Sequence, residues 1–501
     1  MTQDLRAVRE VWASRAGART RTDLLYLIYL VALSVPVLLV PALQSVGTLL
    51  ARPDVLPALL SARAPQAIGA TVAAGAAVLV LCGAVRGPAL LAPFLTATLA
   101  SSGLRRRDVL WRPLLRALLV PVLGNVLGCA VLALTLGAAG HVTPAAGAWF
   151  VLAGTGAGLL LGAAWLAGQL LDPAPRRLLA VALLALAVLQ AAMPLPTGLG
   201  AAYPVGAPHP GLWAGALLAA GAAAISVGIA RLDRLRGQVL REQAARWEAA
   251  GRTALAGDLS AAAGAFRPPP SAGRRLRAIG ARPLVLLYAR RDAVAWLRSP
   301  ERLAAGTAAG LSGAAALAGS TVLTGPLAWA AVLGGTLALW GASGTLVDGL
   351  RHGVHTLGAP GLFGQRAGVQ VMLHAVAPTV LLALLGALGG GLAAAVAGAG
   401  PAAALLPALL APVLVAGRAR DAAKGPMPLS LSTPMPTAQG DLSVLAMLAW
   451  QSDAMLLAAL SGAVLAGLGA AGQLGLLPGA AAVLTAAMAL MAAMRLRALA
   501  R

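Results

Sequence analysis

Sixteen carboxylates, five histidines and two cysteines are the residues of this 501-residue chain suited to acid–base, nucleophilic or metal chemistry. Their spacing supports little of it. Cys82 and Cys129 lie in apolar runs, with no CxxC and no Cys/His cluster, so neither a zinc site nor a disulfide framework is expected. There is no GxxxxGK(S/T) loop to wrap phosphates, no HExxH and no GxSxG in a strand–turn–helix context. An enzyme active site is not expected, and the chain is expected to bind no cofactor or metal of its own.

The acids are also placed wrongly for ion-coupled transport. None of the sixteen lies in the middle of an apolar run. Coupling to protons or sodium normally needs an ionisable group inside the membrane, where it is loaded and unloaded. His374, just inside one run, is the one titratable candidate, and its expected role is a hydrogen bond to a nearby backbone carbonyl. The other polar groups in apolar runs are Tyr26, Tyr29, Asn125, Gln169, Gln190, Ser226, Ser343 and Thr379. Each suits an interhelical hydrogen bond, worth about 0.6 kcal/mol on average. The functional alternative is a weakly polar passage for an apolar or amphipathic substrate. Tyr26, Tyr29, Asn125, Gln169, Gln190 and His374 are its candidate lining.

The elements that must position these residues are membrane spans. Apolar residues make up 59% of the chain and charged residues 11%, with mean hydropathy +0.83. A soluble protein is roughly 25% charged. The composition therefore excludes a soluble enzyme, a disordered chain and a disulfide scaffold. Twelve apolar runs approach the length needed to cross a bilayer: 24–49, 65–85, 113–137, 145–170, 178–193, 211–230, 303–323, 328–347, 370–397, 401–416, 454–472 and 478–494. The fold class expected is an all-α integral membrane protein. The polar, arginine-bearing start (residues 1–23) precedes a run long enough to stay in the membrane, so no cleavable signal is expected.

The net charge of +22 comes from 38 basic residues, of which only Lys424 is lysine. With an inside N-terminus, the outer segments 50–64, 138–144, 194–210, 324–327, 398–400 and 473–477 carry only Arg52 and Arg63. The remaining 36 lie on the inner side or at its membrane edge. This asymmetry orients the chain, with both termini expected to be cytoplasmic. The charge is a topology signal and implies no nucleic-acid partner.

Six runs precede residues 231–285 and six follow. The expected organisation is a first six-helix half (1–230), a cytoplasmic linker (231–285) closed by Pro268–Pro270, and a second half (286–501). Each half opens with a basic amphipathic segment, 8–23 and 287–302, whose Trp12 and Trp296 suit the headgroup layer. In each, a longer inner loop joins spans two and three: RGPALLAPFLTATLASSGLRRRDVLWR (86–112) and DGLRHGVHTLGAPGLFGQRAGVQ (348–370). Duplicated halves are common in transporters.

LASSGLRRRDVLWRPLL (99–115) and RRDAVAWLRSPERLAAG (290–306) resemble the pre-span-three segment and the opening elbow of ABC-2-type permeases. In plan, nearly the whole chain is similar to the fused double permeases of actinobacterial antibiotic and polyketide exporters. The resemblance implies that separate ABC ATPase subunits, two copies, use ATP and dock on the loops between spans two and three. It implies docking residues Arg105, Arg106, Arg107, Asp108 and Trp111 in the first loop. Arg351, His352, His355, Phe363 and Arg366 are the equivalents in the second. Arg105–Arg107 also suit a plain positive-inside anchor. The halves depart from strict symmetry: 193–210 is a long outer loop in the first, and 418–453 a long inner segment in the second. Two rivals remain. A major-facilitator carrier shares the 6+6 plan, but has a short loop with a Gly/Asp/Arg signature that GLRRRD (103–108) matches poorly. A non-transporting membrane protein is the other.

Overall fold

The computed structural model describes residues 21–100, 102–193, 196–255, 262, 264–266, 272–273, 275–280, 283–357, 364–425, 427–431, 433, 435–437 and 440–499. The amphipathic segment with Trp12 lies outside them, apart from its last residues. The protein is an all-α, multi-span membrane protein. Among the described residues eleven helices are long and apolar enough to cross a bilayer. It divides into two compact units between Arg252 and Thr253.

The first unit opens with α1 (Arg21–Ser34), a π-helical turn (Val35–Leu39) and α2 (Val40–Leu50). The π turn has a local cause. Pro36 and Pro41 lack the N–H that would continue the α ladder, and Val40 N donates to Val35 O, five residues back. Next come α3 (Leu56–Leu60), α4 (Ala64–Val85), α5 (Pro93–Ala100), α6 (Arg106–Ala138), α7 (Pro144–Leu170), α8 (Pro173–Ala192), α9 (Pro210–Ala230) and α10 (Gly237–Leu255). The second unit holds α11 (Leu284–Leu297), α12 (Pro300–Gly319), α13 (Gly325–Leu346), α14 (Asp348–His355), α15 (Ala367–Ala397), α16 (Pro401–Ala422), α17 (Ser443–Ala470) and α18 (Leu477–Leu499). A two-residue ladder pairs β1 (Pro436–Thr437) with β2 (Gly440–Asp441). Proline in the first turn of α4, α7, α8, α9, α12, α13 and α16 sets φ for the helix where a missing N–H costs nothing.

The span count differs from the sequence expectation by one. At 303–323 stands α12, 20 residues and so about 30 Å long, but it is not among the eleven. Its Gly, Ala, Ser and Thr content holds its apolarity down. Those same small residues let it pack closely on α13 and α15, with Gly306, Gly310 and Gly313 buried.

Counting α12 as the first long helix of the second unit, α7 and α16 are each the fourth of their unit, and each packs on at least three others. In the first unit α7 packs against α4, α6 and α9; in the second α16 packs against α15, α17 and α18. Half of the apolar window of α7 is buried and 67% of that of α16, the highest values among the spans. Lipid offers no hydrophobic force between helices, so close backbone approach carries the association. Gly168 of α7 shows how close: a Cβ there would lie 2.7 Å from the carbonyl carbon of Val80 on α4. Gly168→Ala is expected to destabilise the first unit by about 1–3 kcal/mol, because backbone on both sides must move. Thermal unfolding of the purified chain in detergent tests this, and an unchanged midpoint would refute the crossing.

The segment 231–285 is not wholly a linker. Leu232, Leu235, Leu240 and Ala244 are buried, the first three in the same cluster as Leu110, Leu114 and Leu166, so α10 belongs to the first unit. The loop at 196–209 is likewise folded down. Leu199–Ala202 of its turn are buried, Tyr203 donates to Leu59 O at 2.8 Å, and the Phe150 ring meets Tyr203 edge-on at 5.6 Å.

Candidate functional site

The loops between the second and third spans carry the site residues, and in both units they are built alike. An eight-residue helix (α5, α14) is followed by a long third span of 33 (α6) or 31 residues (α15). An arginine with extended backbone, Arg105 or Arg366, is the N-cap of that span.

In the first unit the loop is held by two glutamines. Gln169 of α7 donates to Ala89 O at 3.2 Å and to Gln243 Oε1 at 3.0 Å, and accepts from Ala89 N at 3.1 Å. Gln243 of α10 donates to Gly83 O and Ala84 O, both at 3.0 Å. Trp165 Nε1 donates to Arg86 O at 2.7 Å, and the Arg86 guanidinium lies 4.1 Å from the Trp247 ring centroid. These bonds turn the chain sharply out of α4 and aim α5. Beyond it Arg105, Arg107, Asp108 and Trp111 are exposed and Arg106 is half-buried. Three arginines at a helix N-terminus oppose the helix dipole. Two acids offset them: Asp233 Oδ1 accepts from Arg107 N at 3.0 Å, and Asp108 lies 3.8 Å from Arg107 Nε. Asp233, which caps α6 from 126 residues away, and Gln243 were not anticipated from the sequence.

In the second unit α14 follows α13 directly. Leu350 and Val354 face inward, while His352 and His355 are exposed. Asp348 at its first turn and the two histidines at its last both suit the helix dipole. Arg302 of α12 pairs with Asp348 and donates to Gly344 O at 2.9 Å. Arg351 also donates to Gly344 O, at 3.3 Å. Of the residues expected at this loop, Arg351 is thus tied to the helix bundle and Arg366 is exposed. Phe363 lies outside the described residues.

Beneath α14 sits a buried Asp–His hydrogen bond. His374 Nδ1 of α15 is 2.9 Å from both carboxylate oxygens of Asp292 on α11, with side chains 1% and 3% exposed. The expected backbone-carbonyl partner for His374 is therefore replaced by an acid from a helix outside the spans. The Tyr288 ring stands edge-on to the imidazole at 4.7 Å, and His374 Nε2 has no hydrogen-bond partner among the described residues. Burial pushes the Asp292 carboxyl above its ordinary range, and the His374 hydrogen bond and charge oppose that rise. Gly349 closes the pair off: a Cβ there would sit 2.5 Å from His374 Nδ1. Beside it a cavity of about 30 Å³, room for a water, is lined by Asp292, Trp296, Arg302, Thr345 and Asp348. Trp296 Nε1 donates to Leu346 O at 2.9 Å, so this tryptophan fastens α11 to the end of α13.

The candidate passage residues do not form one lane. Gln169 serves the 86–89 turn, whereas Gln190 donates to Thr197 Oγ1 at 2.5 Å at the opposite end of the first unit. Asn125 donates to Pro121 O within α6 at 2.9 Å. Tyr26 and Tyr29 are exposed on α1. Ser226 and Thr379 bond within their own helices, whereas Ser343 accepts from Arg418 Nε at 3.0 Å. No protein-family model matches the sequence, and neither do the curated proteins or solved structures compared with it.

Proposed function

We propose that this chain is the membrane permease of an ABC-2-type exporter. It moves an apolar or amphipathic substrate with energy from separate ATPase subunits, two copies, that bind and hydrolyse the ATP. The reading places it in a bacterial cytoplasmic membrane with both termini inside, on the arginine distribution described above. The observation that carries it is the duplicated arrangement of a short helix, an arginine cap and a long third span. In this reading α5 and α14 are the rigid contacts through which closure of the ATPase dimer reaches each unit. Exposed Arg105, Arg107, His352 and Arg366 would meet acidic groups on the ATPase.

The buried Asp292–His374 pair favours one alternative, a proton-coupled carrier, because it supplies a loadable group near the membrane edge. One experiment separates the two. The tagged chain is co-expressed with the ATPase from a neighbouring reading frame, purified and reconstituted. Co-purification and ATP-dependent export are expected. Transport driven by a proton gradient without ATP would overturn the ABC reading.

A further inference from the structure

At one end of the second unit, three helices gather four cations around two carboxylates. Asp453 of α17 accepts from Arg420 Nη2 of α16 at 2.7 Å and from Arg495 Nη2 of α18 at 3.1 Å. Lys424 Nζ lies 2.5 Å from the other Asp453 oxygen and 3.5 Å from Asp421. Arg418 Nη1 is 3.8 Å from Asp421. Four positive and two negative groups leave two positive charges unbalanced.

These are not solvated surface charges. The Arg420 and Lys424 side chains are only 9% and 8% exposed. Arg418 is otherwise served, by Ser343 Oγ, by Trp340 O and by the Trp340 ring 3.6 Å below its guanidinium. Arg420 is not: its Nε and Nη1 are buried donors with no hydrogen-bond partner among the described residues. A buried cation keeps its charge only when an anion or acceptors replace the water it has lost. The cluster lacks an anion, and one bearing two charges would balance it.

We infer that this cluster is a binding site for the phosphates of an anionic phospholipid headgroup. Basic pockets between spans on the cytoplasmic side suit such headgroups. The surroundings favour a lipid over a soluble anion. All three helices have membrane-crossing length, and Leu445 and Leu448 of α17 and Met494 of α18 are 62%, 51% and 53% exposed, apolar surface for acyl chains. Trp450, whose ring lies 4.8 Å from Lys424 Nζ, fits the interfacial depth that tryptophan prefers. A headgroup with two phosphodiesters matches the surplus charge. The inference does not depend on what the chain transports.

The test uses the full chain in neutral detergent, with thermal unfolding followed during titration. The probes are diphosphatidylglycerol, phosphatidylcholine and inorganic phosphate. Diphosphatidylglycerol is expected to raise the midpoint by about 5 °C at a hundredfold excess over its Kd, and phosphatidylcholine to leave it unchanged. Arg495→Gln, which removes the most exposed of the three cations on Asp453, is expected to weaken diphosphatidylglycerol binding about tenfold. Arg420→Gln is expected to weaken it further; should that variant not fold, Arg495→Gln decides. An equal rise with phosphatidylcholine, or unchanged affinity in Arg495→Gln, would overturn the site. A full rise with inorganic phosphate alone would overturn the lipid assignment.

Discussion

His374→Ala is expected to cost the second unit about 3–5 kcal/mol near neutral pH, because it leaves Asp292 charged and buried without its partner. The loss depends on pH, and its sign follows from the carboxyl. Burial already raises Asp292 above its ordinary 3.8, and His374 opposes that rise. Without the imidazole the folded-state value climbs further, while the unfolded value stays where it was. Between the two the folded protein holds a proton that the unfolded chain has released. Stability of the variant therefore falls as pH rises through that interval and is best preserved at its acid end. Replacing both residues by leucine is expected to recover most of the loss, since no charge is then left buried. Denaturant unfolding in mixed micelles at several pH values measures all three. A loss below about 1 kcal/mol at pH 8 would show that the pair does not hold α11 to α15.

Charge reversal of the first loop is expected to have the largest functional effect. If the proposed function holds, Arg105→Glu/Arg106→Glu/Arg107→Glu should weaken association with the proposed ATPase about tenfold or more, through like-charge repulsion against the acidic face that reading assigns to it. The helix itself is spared. Glutamate at an N-terminus suits the dipole better than arginine does, and the Asp233 cap binds the Arg107 backbone, not its side chain. Membrane insertion is expected to be retained, because most of the arginines outside the spans are untouched. Pull-down at low and high salt reads the effect, and the wild-type association should weaken with salt. Unchanged association with normal insertion would remove the 86–112 loop from the interface.

The spans were legible because lipid demands long apolar runs. The run 145–170 corresponds to α7 (Pro144–Leu170) and 211–230 to α9 (Pro210–Ala230). The errors cluster where helices leave the apolar region. The run 401–416 extends as helix to Ala422, 113–137 begins at Arg106, and 454–472 begins at Ser443. Hydropathy counts the buried length, whereas backbone hydrogen bonding continues through charged turns. The segments 86–112 and 418–453 are therefore shorter as loops than they read. The residues proposed to dock the ATPase form a visible basic run, but the groups that support them are not visible in the sequence. Gln169 was visible only as a polar residue in a span; that it holds a turn 80 residues away is a tertiary fact. Asp292 reads as one more polar residue on an amphipathic helix, and its partner lies 82 residues on. Nothing in spacing joins them.

The central place of α7 in the first unit bears on how the chain is made. Helices enter the bilayer in the order of synthesis, so α4 and α6 are inserted before α7, the helix that both pack against. Until it arrives, the surface around Val80 and Val122 that later receives Gly168 and Gly158 faces lipid or the insertion machinery. The second unit differs, since α12 already packs on both α13 and α15 before α16 is made. Assembly of the first unit is thus gated by its fourth helix. A nascent chain truncated before α7 should remain a loose, protease-sensitive set of helices, and one truncated after it should begin to resist.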